Sequence, residues 1–104
     1  MIYMINNKCQ AVVKAAIIKK GLMALKLMST ITESDKFFEA LEEYNELFWD
    51  THKELSDICQ PYILSDNWED ASIGCQCLDK YFNLFKEQRT PAEEKASELC
   101  LKYL

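Results

Sequence analysis

The sequence has few of the residues that interrupt regular structure, with two glycines and two prolines among 104 residues. A β-sandwich or β-barrel needs turn residues at short intervals, so this scarcity favours helices. Apolar residues make up 49% of the chain and aromatic residues 12%, which is typical of a folded protein and too high for a disordered one. We therefore expect an all-α fold, and the length predicts a single domain over residues 1–104.

Catalytic and metal-binding motifs are also missing. His52 is the single histidine, and no ExxH or CxxC pattern accompanies it. Cys75 and Cys77 are two residues apart, so on a helix they would diverge by about 160° and could not easily hold one ion. The glycines stand alone, which excludes a glycine-rich phosphate loop. The sequence predicts no catalytic residue, metal or cofactor, and we expect a protein that is not an enzyme.

Acidic residues are absent from the first 32 positions, which carry five lysines, although the whole chain has a net charge of −5. The overall acidity argues against general nucleic-acid binding, which depends on neutralising phosphates. Lysines interrupt every apolar stretch of this segment before it reaches the length of a membrane span. Whether residues 1–32 include a targeting segment stays open.

The five cysteines are an odd number, which argues against a set of paired disulfides. We expect reduced thiols, which would place the protein in the reducing interior of the cell, in the cytoplasm.

Four helices are predicted, at about residues 8–28, 34–58, 68–87 and 91–103, in an antiparallel, bundle-like arrangement. Pro61 should end the second helix. Thr32 or Ser34 is expected to cap the second helix, and Thr90 begins a capping box completed by Glu93. On the second helix a heptad pattern predicts the buried side, formed by Phe37, Leu41, Tyr44, Phe48, Thr51, Leu55 and Ile58.

The first helix has apolar residues on most of its circumference, which is typical of a helix enclosed by neighbours. Either the other three helices surround it, or one side packs on its own chain and another on a second copy. A surface that awaits another protein or a membrane is a third possibility. We expect a homodimer, since two-fold dimers are the commonest closed assemblies. The predicted self-association residues are Val13, Ile17, Ile18, Leu22, Leu25 and Met28.

The second helix carries a continuous acidic side, which is either solvated or a docking surface for a basic protein. Three aromatic residues outside the predicted buried side are candidates for an interface hot spot. The partner-binding residues predicted together are Phe38, Glu39, Glu42, Glu46, Trp49, Asp50 and Trp68.

The sequence thus favours a small non-enzymatic helical interaction module, acting as a regulator, adaptor or inhibitor. One alternative is an acidic inhibitor or immunity-type protein that imitates a polyanion. Another is peripheral binding of a membrane or nucleic acid through the basic first helix.

Overall fold

A computed structural model describes the backbone of residues 2–103 and the side chains from Met4 to Tyr103. Over the described residues the chain forms four helices, namely α1 (Ile2–Ser29), α2 (Ser34–Ile63), α3 (Trp68–Glu87) and α4 (Pro91–Tyr103). No strand occurs within these residues. The predicted all-α, four-helix architecture is confirmed.

Two predicted helix boundaries were wrong. Helix α1 begins at Ile2 rather than at residue 8, because Ile5 lies one turn before Cys9 and both are buried in the core. Helix α2 does not end before Pro61 but continues to Ile63. In the last turn a proline removes only one intrahelical hydrogen bond, which is a small loss beside the packing that this turn gains.

Side-chain caps begin two of the helices, α3 and α4. The Asn67 side chain accepts hydrogen bonds from the backbone N–H groups of Glu69 and Asp70, at 2.9 and 3.3 Å. At α4, Glu93 Oε1 accepts from the Thr90 N–H at 3.0 Å, and the Glu93 N–H donates to Thr90 Oγ1 at 3.2 Å. The capping box is therefore confirmed.

Helix α2 starts differently from the prediction. Its N-cap is Glu33, which makes no side-chain capping bond, rather than Thr32 or Ser34. The Glu33 N–H instead donates to the Thr30 carbonyl at 2.8 Å, so the backbone of the tight α1–α2 turn fixes the boundary.

The four helices form a rod of about 53 × 22 × 18 Å with three columns. Helices α1 and α2 are antiparallel, since Lys26 contacts Glu43 near one end and Cys9 contacts Cys59 near the other. Helix α3 returns along α2, and α4 continues in the same direction as α3, so the third column consists of two short helices. Helix α1 packs against all three others.

Two groups of buried side chains form the interior. The heptad pattern of α2 is confirmed, since each of its seven positions is buried or half-buried. The smaller group lies between α1, α2 and α4 and consists of Leu27, Phe37 and Ala40. The main core consists of Ile5, Cys9, Val13, Ala16, Leu47, Leu55, Cys59, Cys77, Tyr81 and Phe85.

A buried lysine joins the two halves of the third column. Lys20 Nζ donates to the backbone carbonyls of Phe85 at 2.8 Å and Gln88 at 2.7 Å, and lies 3.5 Å from Glu93 Oε1. The Tyr44 hydroxyl donates to the other carboxylate oxygen of Glu93. Lys20 is 1% exposed and Glu93 4% exposed, so the charges are almost fully removed from water. All four helices contribute to this buried cluster.

Burial acts on both charges of the cluster. Desolvation lowers the pKa of Lys20, and the Glu93 carboxylate partly opposes this. Desolvation alone would raise the pKa of Glu93, but the hydrogen bonds from Tyr44 and Thr90 and the charge of Lys20 lower it overall. The carboxylate is therefore the favoured form of Glu93 in the folded protein.

The two glycines should respond oppositely to alanine. A methyl group on Gly74 would lie 2.8 Å from the Ile63 backbone nitrogen and 2.9 Å from Tyr62 Cβ, so α2 and α3 would have to move apart. We expect Gly74→Ala to lower the free energy of unfolding by about 1–3 kcal/mol.

The matched control is Gly21→Ala, whose methyl group would meet the Thr90 side chain at an ordinary 3.7 Å. This change should raise the free energy of unfolding by about 0.5–1 kcal/mol through helix propensity. Urea unfolding measures both, and equal effects would contradict the close approach at Gly74.

Glu93→Gln should destabilise the fold by on the order of 3 kcal/mol, because the buried ammonium of Lys20 loses its counter-charge. Glu98→Gln is the control, since Glu98 pairs with Lys95 on the surface at 3.7 Å and should contribute less than about 1 kcal/mol. Urea unfolding at neutral pH compares the two variants.

The stabilising effect of Glu93 should depend on pH. Because the pKa of Glu93 is lowered from 4.5 by folding, its contribution is complete above pH 4.5 and is lost as the pH falls through the folded value. The difference in stability between wild type and Glu93→Gln should therefore shrink in acid. A difference that stays constant with falling pH would contradict the lowered pKa.

Candidate interaction surfaces

The side of α1 that faces away from the other helices is apolar. Ile18, Leu22 and Leu25 are 66%, 60% and 52% exposed. Met4 and Ala11 precede Ile18 at seven-residue intervals and lie on the same side of the helix. We call these five residues the α1 stripe. It runs along α1 from Met4 to Leu25, a distance of about 32 Å.

The predicted self-association residues divide between this surface and the interior. Ile18, Leu22 and Leu25 point outward, and Ile17 and Met28 are half-buried. Val13 is 3% exposed and belongs to the main core, so its assignment to an intermolecular surface was wrong. The all-round apolar pattern concealed which positions face the chain's own helices.

Lysines flank the α1 stripe. Lys26 pairs with Glu43 of α2 at 2.7 Å, where both side chains are about half exposed. Lys8, Lys14 and Lys19 are exposed and form no salt bridge within the described part of the chain. The stripe is thus an apolar surface with unpaired positive charges at its edges.

A groove of about 530 Å³ runs between α1 and α2, next to the α1 stripe. Its lining includes the apolar residues Val12, Ala16 and Leu47. Two lysines, Lys19 and Lys53, also line it. The α2 side is acidic and contributes Glu43, Glu46, Asp50, Glu54 and Asp57.

The structure therefore brings two of the predicted acidic residues, Glu46 and Asp50, into this groove. Glu39 and Glu42 are exposed on α2 but do not line it. The groove itself could not be inferred from α2 alone, because five of its thirteen lining residues come from α1.

The predicted aromatic residues are exposed but are spread along the rod. Phe38 is 65%, Trp49 76% and Trp68 82% exposed. Phe38 and Trp49 share one side of α2, and their separation of eleven residues corresponds to about 16 Å. Trp68 starts α3, beyond the α2–α3 connection. These three side chains do not form one compact hot spot.

Trp49 borders a second groove, of about 650 Å³, between α2 and α3. Phe48, His52, Phe82 and Lys86 also line it. The His52 ring packs edge-to-face on Phe82, with 4.8 Å between ring centres. His52 is half-buried and therefore lies at the boundary of the core.

The cysteines are free thiols with different exposures. Cys75 is exposed and Cys77 buried, and no cluster of metal-ligating side chains occurs among the described residues. The Sγ atoms of Cys9 and Cys59 lie 3.9 Å apart in the core. Desolvation, with the neighbouring Cys59, raises the pKa of Cys9 to about 12, so its reactive thiolate form is scarce at neutral pH.

Comparison with family models, curated proteins and solved structures finds no match for the chain. Among the helices described, none has the length and apolar character needed to cross a membrane. The surfaces themselves are thus the basis for a functional proposal.

Proposed function

We propose that this protein is a small helical interaction module that self-associates through the α1 stripe. The observation that carries the proposal is the exposure of Ile18, Leu22 and Leu25 on one side of a helix whose other side contributes residues to the main core. Scattered apolar residues are ordinary on protein surfaces, whereas a continuous apolar stripe marks an interaction site.

The energetics favour coverage of this surface. Burial of about 400 Å² of apolar surface would contribute on the order of 10 kcal/mol, which is similar to the whole stability of a small domain. Association loses a comparable amount of translational and rotational freedom, so the net affinity should be moderate. A second copy presents the same stripe at the same concentration, which makes a homodimer the simplest occupant.

A further protein is the proposed partner of the acidic and aromatic surfaces on α2. The exposed carboxylates would attract a basic protein, and Trp49 provides a large apolar contact beside them. The five free thiols fit the reducing conditions of the cytoplasm. In this proposal the module is a regulator, adaptor or inhibitor rather than an enzyme.

An anionic membrane surface is the second candidate for the α1 stripe, because unpaired lysines flank its apolar residues. The neighbouring α2 argues against it, since its eight acidic residues would be repelled by anionic headgroups. Co-sedimentation with phosphatidylserine vesicles at low salt tests this candidate. We expect the protein to stay in the supernatant, and binding that disappears in Leu22→Glu would favour the membrane instead.

Leu22→Glu should weaken self-association by at least about tenfold, because it places a charge in the centre of the apolar contact. Sedimentation equilibrium from low to high micromolar concentration measures the dimer fraction. Leu64→Glu is the matched control: Leu64 is 71% exposed but lies in the α2–α3 connection, so its dimer fraction should equal that of wild type.

Circular dichroism should show unchanged helicity for both variants, since neither side chain belongs to the core. A wild-type protein that remains a monomer at high micromolar concentration would contradict the proposal. If the Leu22→Glu and Leu64→Glu variants dissociate equally, the interface does not lie on the α1 stripe.

A further inference from the structure

Two helices of opposite charge lie side by side on one face of the rod. Helix α1 carries five lysines and no acidic residue, whereas α2 carries eight acidic residues and two lysines. The groove between them combines apolar residues such as Val12 and Leu47 with carboxylates on its α2 side. The chain therefore contains both a basic apolar helix and an acidic groove with apolar lining, and each suits the other.

Within one molecule, few lysines of α1 form salt bridges with the carboxylates of α2. Lys26 reaches Glu43, and Lys20 is turned into the core. Lys8 and Lys14 on α1 form no salt bridge within the described residues, and neither do Glu54 and Asp57 on α2. Charges of both signs thus remain unpaired on α1 and α2: Lys14 lies on the side of α1 that faces α3, and Glu54 and Asp57 line the groove on the α2 side.

We propose that the second copy docks with its α1 over the α1–α2 groove of the first, about a two-fold axis that runs along the helices. This arrangement rests on the self-association proposed above and specifies its geometry. The α1 stripes of the two copies meet near the axis, and the lysines of each α1 reach the carboxylates of the other copy's α2. The interface is isologous, so every such contact occurs twice.

Symmetry and charge together select this axis. A two-fold axis that runs across the helices would lay α1 on α1 and α2 on α2, and it would oppose the acidic sides of the two copies. An axis along the helices exchanges the neighbours, so that α1 of each copy lies next to α2 of the other. Like charges that face each other across an interface are strongly disfavoured, whereas opposite charges fix the register.

The lysines and carboxylates that would pair also lie at similar positions along the rod. Lys26 contacts Glu43, and Cys9 contacts Cys59, so each pair lies at one position along the rod. Because α1 and α2 are antiparallel, the numbers of two residues at the same position along the rod add up to 68 or 69. Rotation about an axis along the helices leaves these positions unchanged. Lys14 of the second copy therefore comes level with Glu54 of the first, and its Lys8 lies about one turn from Asp57.

Reciprocal charge reversal tests the arrangement. The first double variant carries Lys8→Glu and Lys14→Glu, and the second carries Glu54→Lys and Asp57→Lys. Each alone should raise the dissociation constant of its own dimer at least about tenfold, because like charges then face each other at both contacts. An equimolar mixture should form a heterodimer with near wild-type affinity, because both contacts regain opposite charges.

The control variant carries Lys86→Glu and Lys95→Glu, which change the net charge by the same amount at exposed positions on α3 and α4. It should dimerise as wild type does, and it should not be rescued by the second double variant. Circular dichroism on every protein confirms that helicity is retained. Raised salt should weaken the mixed heterodimer and should strengthen the two disfavoured homodimers.

The outcomes separate the two proposals. A monomeric wild type contradicts the proposed function itself. A wild-type dimer that Leu22→Glu dissociates, but that both double variants form unchanged, overturns only the axis along the helices. Weakened homodimers that the mixture fails to restore also overturn it, because the reversed charges would then not face each other.

Discussion

The fold depends on the buried charge of Lys20. Its ammonium group lies where α3 has ended and α4 has begun, and it uses the Phe85 and Gln88 carbonyls and the Glu93 carboxylate as partners. The end of a helix leaves carbonyl groups without intrahelical partners, and a buried ammonium needs several acceptors. Lys20 therefore supplies donors to the unpaired carbonyls, and these carbonyls supply acceptors to its buried ammonium. The interruption of the third column at residues 88–90 therefore lies beside Lys20 rather than elsewhere.

The Lys20 cluster also explains why the opposite side of α1 is exposed. Lys20 draws α1 towards α3 and α4, while Tyr44 of α2 completes the set through Glu93. All three neighbours consequently pack on one half of α1. The opposite half, which carries Ile18, Leu22 and Leu25, is left without a partner in the single chain. The interior stability of the molecule and the proposed interface are two consequences of the same arrangement.

Much of the fold was predictable from local sequence. The heptad spacing on α2 identified its buried side, and Thr90, Pro91 and Glu93 located the start of α4, because these signals lie within a few residues of one another. Local patterns of this kind are set by helix geometry alone.

Other features required the tertiary structure. On α1 the apolar residues surround the helix, so the sequence could not separate Val13, which is in the core, from Ile18, which is exposed. The local sequence does not distinguish Lys20 from the other lysines of α1, since its acceptors come from residues more than sixty positions away. The acidic groove likewise combines α1 and α2. Contacts between distant segments produce no recognisable pattern of residue spacing in the sequence.

The central claim is that the exposed half of α1 becomes covered in solution by a second copy. Methyl NMR spectra of the wild-type protein over a dilution series test it most directly. The account predicts that the methyl resonances of Ile18, Leu22 and Leu25 shift with concentration, whereas that of Leu64 does not. Resonances of all four residues that stay constant up to high micromolar concentration, or shifts confined to Leu64 and its surroundings, would contradict it.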